Sequence, residues 1–297
     1  MDKLFYHKPV LVNEVLHYLD PQPEKIYLDV TFGTGGHTKA ILEREPRCKV
    51  IALDWDSVSL EKYGQPLVER FPSRLKLVWG NFALLYKIIK KEKIVAVDGI
   101  LADFGTSQIQ IKERPGFSVY ADTILDMRMS PAHQKITAAQ VLQDSSEEKL
   151  REIFWQLGEE NHARQIARAI VLGRKKKKIK TTRQLADLIE RVVPKNRKQK
   201  IHPATRVFQA LRIYVNKELE NITSFLSSAC KVLTPSGRLV CISFHSLEDR
   251  IVKRFFKEKS NEGILKVLTE TVILASDQEV KINPSARSAK LRAAERL

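Results

Sequence analysis

Up to about residue 110 the chain keeps one rhythm: short apolar runs alternate with longer amphipathic stretches. Ile26-Tyr27-Leu28, Val50-Ile51-Ala52-Leu53, Leu75-Lys76-Leu77-Val78 and Ile100-Leu101-Ala102 each have the size of a buried strand. The segments between them, starting near Thr38, Ser57 and Leu84, are long enough for helices. Parallel neighbours in a sheet need a crossover, and an amphipathic helix is the usual one. The rhythm therefore predicts an α/β fold with a parallel, doubly wound sheet.

The rhythm breaks from about Lys112 to Ile201, where no good strand appears. Leu150, Ile153, Phe154 and Leu157 recur at helical spacing, and Ala163, Ile166, Ala167 and Ile170 continue it. Thr181 is placed to cap a third helix carrying Leu185, Leu188 and Ile189. After His202-Pro203 the alternation returns, with one long helix predicted over about 204–233 and a turn at Pro235-Ser236-Gly237. A strand over 238–244 and a helix from about Leu247 follow, and 265–274 with 289–294 are expected to close the sheet as a hairpin. The expected organisation is a discontinuous sheet domain, 1–111 and 202–297, with a helical domain inserted over 112–201.

Charge bears on the insert. Lys and Arg exceed Asp and Glu by 51 − 35 = 16, and between Arg164 and Lys200 fourteen basic residues face only Asp187 and Glu190. The centre is Arg174 followed by Lys175, Lys176, Lys177 and Lys178. Such a concentration points to a polyanion, and the lysines are candidate phosphate contacts. The run lacks the interleaved Trp or Phe that a membrane-surface helix carries. No stretch approaches the ~18 apolar residues of a membrane span, and the first eight residues do not read as a signal peptide. Cys48, Cys230 and Cys241 are odd in number and have no metal-ligand spacing. They read as reduced core residues of a cytoplasmic protein, and no metal site is expected.

The strongest local signal is Asp29-Val30-Thr31-Phe32-Gly33-Thr34-Gly35-Gly36-His37, between the first strand and its helix. Glycines there let the backbone turn tightly and approach a ligand at the strand ends of an open sheet. Asp54 ends the second strand, where a carboxylate can accept hydrogen bonds from both hydroxyls of a ribose. A nicotinamide cofactor calls for G-x-G-x-x-G, but the third position after Gly35 is Thr38. That departure, with Asp29 ahead of the glycines, favours S-adenosylmethionine. Asp103-Phe104-Gly105 ends the fourth strand, beside the first in such sheets. An acid there suits an amine substrate, whose N–H bonds need acceptors while its lone pair attacks a methyl group. Ser243-Phe244-His245-Ser246 ends the next strand, making Ser243 and His245 further candidates for catalysis, the histidine as a proton shuttle.

The sequence resembles the bacterial 16S ribosomal RNA cytosine-N4 methyltransferases over nearly its whole length. The matching stretches include His7-Lys8-Pro9-Val10-Leu11, the glycine motif, Gly116-Phe117-Ser118 and Leu125-Asp126-Met127-Arg128-Met129. They continue with Gly158-Glu159-Glu160, the run from His202 to Ile213, Val215-Asn216, the run from Ile242 to Arg250, and Asn283-Pro284. The resemblance implies a Rossmann-like class I methyltransferase sheet with an inserted helical domain. It implies S-adenosylmethionine as cofactor and a cytosine in the decoding region of 16S rRNA, in the small ribosomal subunit, as target. Carried over, its cofactor contacts fall on Gly35, Gly36, His37, Asp54, Phe82, Asp103 and Gln110, with Phe82 packing on adenine. Arg206 and Arg212, in the His202 run, join the four lysines as candidate RNA contacts. The chain departs from the family at Ser107-Gln108-Ile109-Gln110, usually Ser-Ser-Pro-Gln, at Ser285, usually Arg, and at Pro115, which parts Arg114 from Gly116. Another RNA or DNA amino-methyltransferase, or a ribosome-associated cofactor-binding protein without turnover, remain alternatives on the sheet motifs alone.

Overall fold

A computed structural model describes residues 8–105, 114–193 and 202–297. The chain divides into two compact units, residues 1–107 with 219–297, and residues 108–218.

The first unit is a sheet with helices. Its strands are β1 (Ile26–Asp29), β2 (Lys49–Asp54), β3 (Leu75–Trp79), β4 (Val97–Asp103), β5 (Leu233–Ser243), β6 (Leu265–Val267), β7 (Ile273–Leu274) and β8 (Lys290–Arg296). They run in the order β3-β2-β1-β4-β5-β8-β6, with β7 also paired to β8. β1 to β5 are mutually parallel, and β8 enters antiparallel between β5 and β6. The central strands are apolar on both faces because both faces are covered. Leu28, Leu53, Ile100 and Leu239 from the sheet share one core with Leu85, Ile89, Phe225, Leu226 and Val252 from its helices.

Two local expectations change. The anticipated hairpin is two short strands, β6 and β7, which both pair with β8. The Pro235-Ser236-Gly237 turn lies inside β5, where the register to β4 jumps from Val97↔Leu233 to Gly99↔Arg238. Ser236, at φ 62°, adopts the left-handed conformation that such a bulge needs.

The second unit is helical: Ala138–Asp144, Glu147–Gly158, Ala163–Lys176, Thr182–Val192 and Thr205–Asn216. Thr181 caps Thr182–Val192 as expected, in a reciprocal capping box with Gln184. Its core holds Phe154, Ile166, Ile170, Leu185, Phe208 and Leu211. The long helix expected over 204–233 is two helices, Thr205–Asn216 and Glu218–Val232. Lys217, at φ 52°, breaks the run. The first piece packs with the inserted helices: at Gly158 a methyl group would come within 2.6 Å of the Arg206 carbonyl. The return to the sheet unit therefore falls near residue 218 and not at 202, because helix Thr205–Asn216 buries its apolar face in the helical core.

Candidate functional site

Three aspartates close β1, β2 and β4 at their C-terminal ends: Asp29, Asp54 and Asp103. β1 has β2 on one side and β4 on the other, and the first strand order reverses there. Such a switch point leaves a crevice beyond the strand ends. Asp54 is buried, and its oxygens accept from the N–H groups of Gly33 (2.7 Å) and Asp56 (2.9 Å). Burial pushes its carboxyl up to about 7, against those two bonds, which pull it down. Asp29 is also buried; it accepts from Thr31 N (3.1 Å) and from the Thr38 hydroxyl (2.7 Å). Burial raises its pKa, opposed by the neighbouring His37 ring and the Thr38 bond. Thr31 Oγ1 in turn accepts from the Asp103 backbone N–H at 2.7 Å, tying the loop after β1 to the end of β4. Thr31 lies in the glycine motif and Thr38 just after it, but only the tertiary contacts reveal these hydrogen-bonding roles.

The glycines have separate tasks. Gly33 is at φ +56°, and the space in front of its Cα is open: a methyl group there would meet nothing nearer than the Thr31 carbonyl oxygen at 3.8 Å. Gly35 is at φ +78°, and a methyl group there would strike Leu67 Cδ1 at 2.5 Å and the Phe32 ring at 2.7 Å. A side chain at Gly36 would meet the Pro9 ring at 2.8 Å, which gives Pro9 a packing role that sequence reasoning did not foresee. Gly35 therefore serves turn geometry and packing within the fold. His37, only 7% exposed, follows on helix Gly36–Arg44. Both ring nitrogens are buried without a hydrogen-bond partner among the described residues. Nε2 stands 3.5 Å from Asp103 Oδ2, within ion-pair reach but short of hydrogen-bond geometry. Asp103 Oδ1 accepts from Gly105 N at 3.2 Å.

Phe82 opens a turn capped by Asn81, whose Oδ1 accepts from Ala83 N at 2.8 Å. Its ring leans on Phe104 at 5.9 Å and meets Phe225 edge-on at 5.7 Å. The Phe244 ring lies over Gly105, leaving no room for a side chain there. Ser243 is buried at the end of β5. His245 caps helix Ser246–Asn261: its Nδ1 accepts from Glu248 N at 3.4 Å. Its Nε2 lies 3.1 Å from Glu248 Oε1 without hydrogen-bond geometry, while Glu248 Oε2 accepts from Phe244 N at 2.7 Å. The Nδ1 of His245 therefore serves the helix start, while its Nε2 makes no hydrogen bond among the described residues. Gln110 lies outside the described residues.

Residues 4–297 match the model of the MraW methylase family. The chain belongs to that family. Similar proteins include a ribosomal RNA small subunit methyltransferase H of Bradyrhizobium diazoefficiens, 46% identical over 98% of this chain and 91% of the relative. Another of the same name, from Thermotoga neapolitana, is 46% identical over 98% of this chain and 96% of its own. A third, from a Sulfurihydrogenibium species, is 44% identical over 98% and 99%.

As a MraW-family methylase the chain is a methyltransferase, and S-adenosylmethionine is its cofactor. The residues present fit that group. Buried polar atoms nearly always have partners, and the two nitrogens of His37 beside the strand ends have none among the described residues, as suits a polar ligand there. Asp54 brings a carboxylate whose oxygens have lone pairs left for hydroxyl donors, and Phe82 an aromatic face. Asp54, Phe82, Asp103 and the Gly33–His37 turn are the residues that would hold it.

The basic candidates lie in the helical unit. Lys175 and Lys176 end helix Ala163–Lys176, and Lys177 and Lys178 follow it, all four exposed. Arg206, half-buried, donates to the Glu159 carbonyl at 3.0 Å. Arg212 differs from the expectation: its guanidinium grips Glu218 through Nε (2.9 Å) and Nη2 (3.0 Å). A bidentate pair that is largely buried is a structural clamp, so Arg212 is not a spare phosphate contact. Among the described residues no helix is long and apolar enough to cross a membrane.

Proposed function

We propose that this methyltransferase transfers the methyl group of S-adenosylmethionine to the exocyclic N4 amine of a cytosine in the decoding region of small-subunit (16S) rRNA, in the cytoplasm. The names of the relatives support an RNA substrate, and the resemblance in the glycine, His202 and Ile242 runs supports the base and the atom. The observation that carries the reading is the state of Asp103. Asp29 and Asp54 are buried, and every one of their carboxylate oxygens already accepts a hydrogen bond. A fifth of the Asp103 side chain is exposed instead. Among the described residues its Oδ2 accepts no hydrogen bond.

When bound, S-adenosylmethionine supplies a methyl group already activated by its sulfonium. The chain's own task is then alignment, which by itself supplies much of a rate enhancement. Asp103 Oδ2 accepts an N–H of the amine, which turns the nitrogen lone pair toward the crevice. After transfer the nitrogen sheds a proton, and Asp103 Oδ2 is the nearest base, with His37 Nε2 3.5 Å behind it. Phe104 and Phe244, at the ends of β4 and β5, offer faces for a base taken out of its stack. Lys175 to Lys178 hold phosphates of the same RNA.

Labelled S-adenosylmethionine offered with unmodified small subunits, with naked rRNA and with DNA decides the matter, the product being mapped by mass spectrometry. Label on a single cytosine N4 of the small-subunit RNA is expected. Label on DNA, or on another atom, overturns the substrate; cofactor binding without transfer to any of the three overturns the enzyme.

A further inference from the structure

Helix Glu147–Gly158 turns Leu150, Ile153 and Phe154 into the core. On its outer face stands Trp155, 59% exposed. The other two tryptophans are accounted for: Trp55 is buried, and Trp79 donates its indole N–H to the Trp55 carbonyl at 3.0 Å. The Trp155 indole has no hydrogen-bond or ring partner among the described residues. It lines a surface concavity of about 460 Å³ with Arg151, Glu152, Gln156, Asn161 and Arg164. No hydrogen bond or ion pair within the described residues holds either guanidinium, though Arg151 lies close enough to favour ionisation of Glu148. The one carboxylate on the rim, Glu152, is neutralised by Lys149 at 3.0 Å.

We propose that this concavity is a docking site for an unstacked base of single-stranded RNA, with Trp155 as the stacking face and Arg151 and Arg164 on the flanking phosphates. The inference rests on the RNA reading above and adds a second place of contact. Every base has a π-face, so an exposed indole between cations holds single strands without regard to sequence. Gln156 and Asn161 present amides that can meet either donors or acceptors on a base edge. The chemistry of the rim argues for this occupant. A protein partner or a lipid surface would ask for a wider apolar patch, and here one aromatic ring is bordered by charged and amide groups.

Stacking and ion pairing differ in their response to salt, since only phosphate neutralisation releases counterions. A fluorescein-labelled oligouridylate of about 12 nucleotides, followed by anisotropy from about 50 to 200 mM salt, separates them. Trp155→Ala is expected to weaken binding about 5- to 150-fold at every salt concentration without changing the slope. Trp155→Phe should recover most of the affinity, and Arg164→Gln should flatten the slope. Thermal melting of each variant should match the wild type, because these side chains are exposed. Unchanged affinity in Trp155→Ala overturns the site, as does a change in oligomeric state by ultracentrifugation with RNA affinity intact, which would make Trp155 a protein contact. Methyl transfer to small subunits by the wild type is measured beside it. Transfer with an indifferent Trp155→Ala sinks the docking site alone; absence of any transfer sinks the functional reading.

Discussion

Burial makes a carboxylate ionise reluctantly, and at Asp54 it outweighs the two backbone N–H bonds that favour the charged form. Its folded pKa, about 7, lies above the ~3.9 of an unfolded aspartate, so the native state keeps the extra proton between those values. Its contribution to stability is therefore present at low pH and lost as pH rises from ~4 to ~7. Hydroxyl donors favour the ionised form, so cofactor binding should release a proton below pH 7. Affinity for S-adenosylmethionine should rise toward pH 7 and level off above it, while Asp54→Asn should be weak and flat. Calorimetry in buffers of different ionisation enthalpy reads the proton directly; pH-independent affinity in the wild type would remove Asp54 from the cofactor site. Asp103 predicts a different signature. It accepts one backbone bond, so Asp103→Ala should cost only ~1 kcal/mol of stability. Single-turnover methyl transfer at saturating cofactor and RNA should nevertheless fall by about 10²-fold or more, the typical scale for a positioned proton-transfer group. A normal single-turnover rate would exclude the assigned role.

At the scale of elements, helix Thr205–Asn216 shows how one sequence run serves two structures. Its residues resemble the family strongly, yet several of the polar ones are spent on holding the helical unit together. Arg212 clamps Glu218, and Asn216, fully buried, donates to the Met127 carbonyl (2.8 Å) and accepts from Met129 N (2.8 Å). Removing Arg212 leaves Glu218 buried without its cation. Arg212→Ala should thus cost ~3 kcal/mol in chemical denaturation, at the lower end for a broken buried pair. At a temperature where the variant stays folded its RNA affinity should be close to wild type. A stable variant with weak RNA binding would restore Arg212 to the RNA surface.

On the scale of the whole molecule, the described residues form one core around the sheet and another among the helices. The candidate cofactor residues Gly35, Gly36, His37, Asp54, Phe82 and Asp103 belong to the first unit and the lysine run to the second. Replacing Lys175, Lys176, Lys177 and Lys178 by Ser should weaken RNA binding and flatten its salt slope, by about 0.7 for each single-strand phosphate no longer neutralised. Affinity for S-adenosylmethionine should be unchanged, and the weakening should be blind to base identity, because phosphate contacts position RNA without reading it. Filter binding from low to high ionic strength checks both. Parallel lines of equal height for the two proteins would make the run a solvated surface and nothing more.

The parallel sheet, the helical insert and the strand-end position of Asp29, Asp54 and Asp103 are all legible in the amino-acid order. These follow from local patterns: apolar runs of strand length, helical spacing, and glycines where the chain must turn. The same patterns mislead where the deciding force is not local. The periodicity of 204–233 reads as one helix, because nothing in the spacing of apolar residues reveals that Lys217 turns left-handed and ends the first piece. Arg212 looks like a spare cation until Glu218 is seen beside it, and nothing in the spacing shows that His245 Nδ1 caps a helix. Thr31, Thr38 and Pro9 lie in or beside the matching motifs, yet their particular contacts are not legible there, since each is made to a residue that only the fold brings near. Charge and periodicity are summed along the chain and can be read there; whether a given polar group is already satisfied depends on its neighbours in space, and only the tertiary structure decides it.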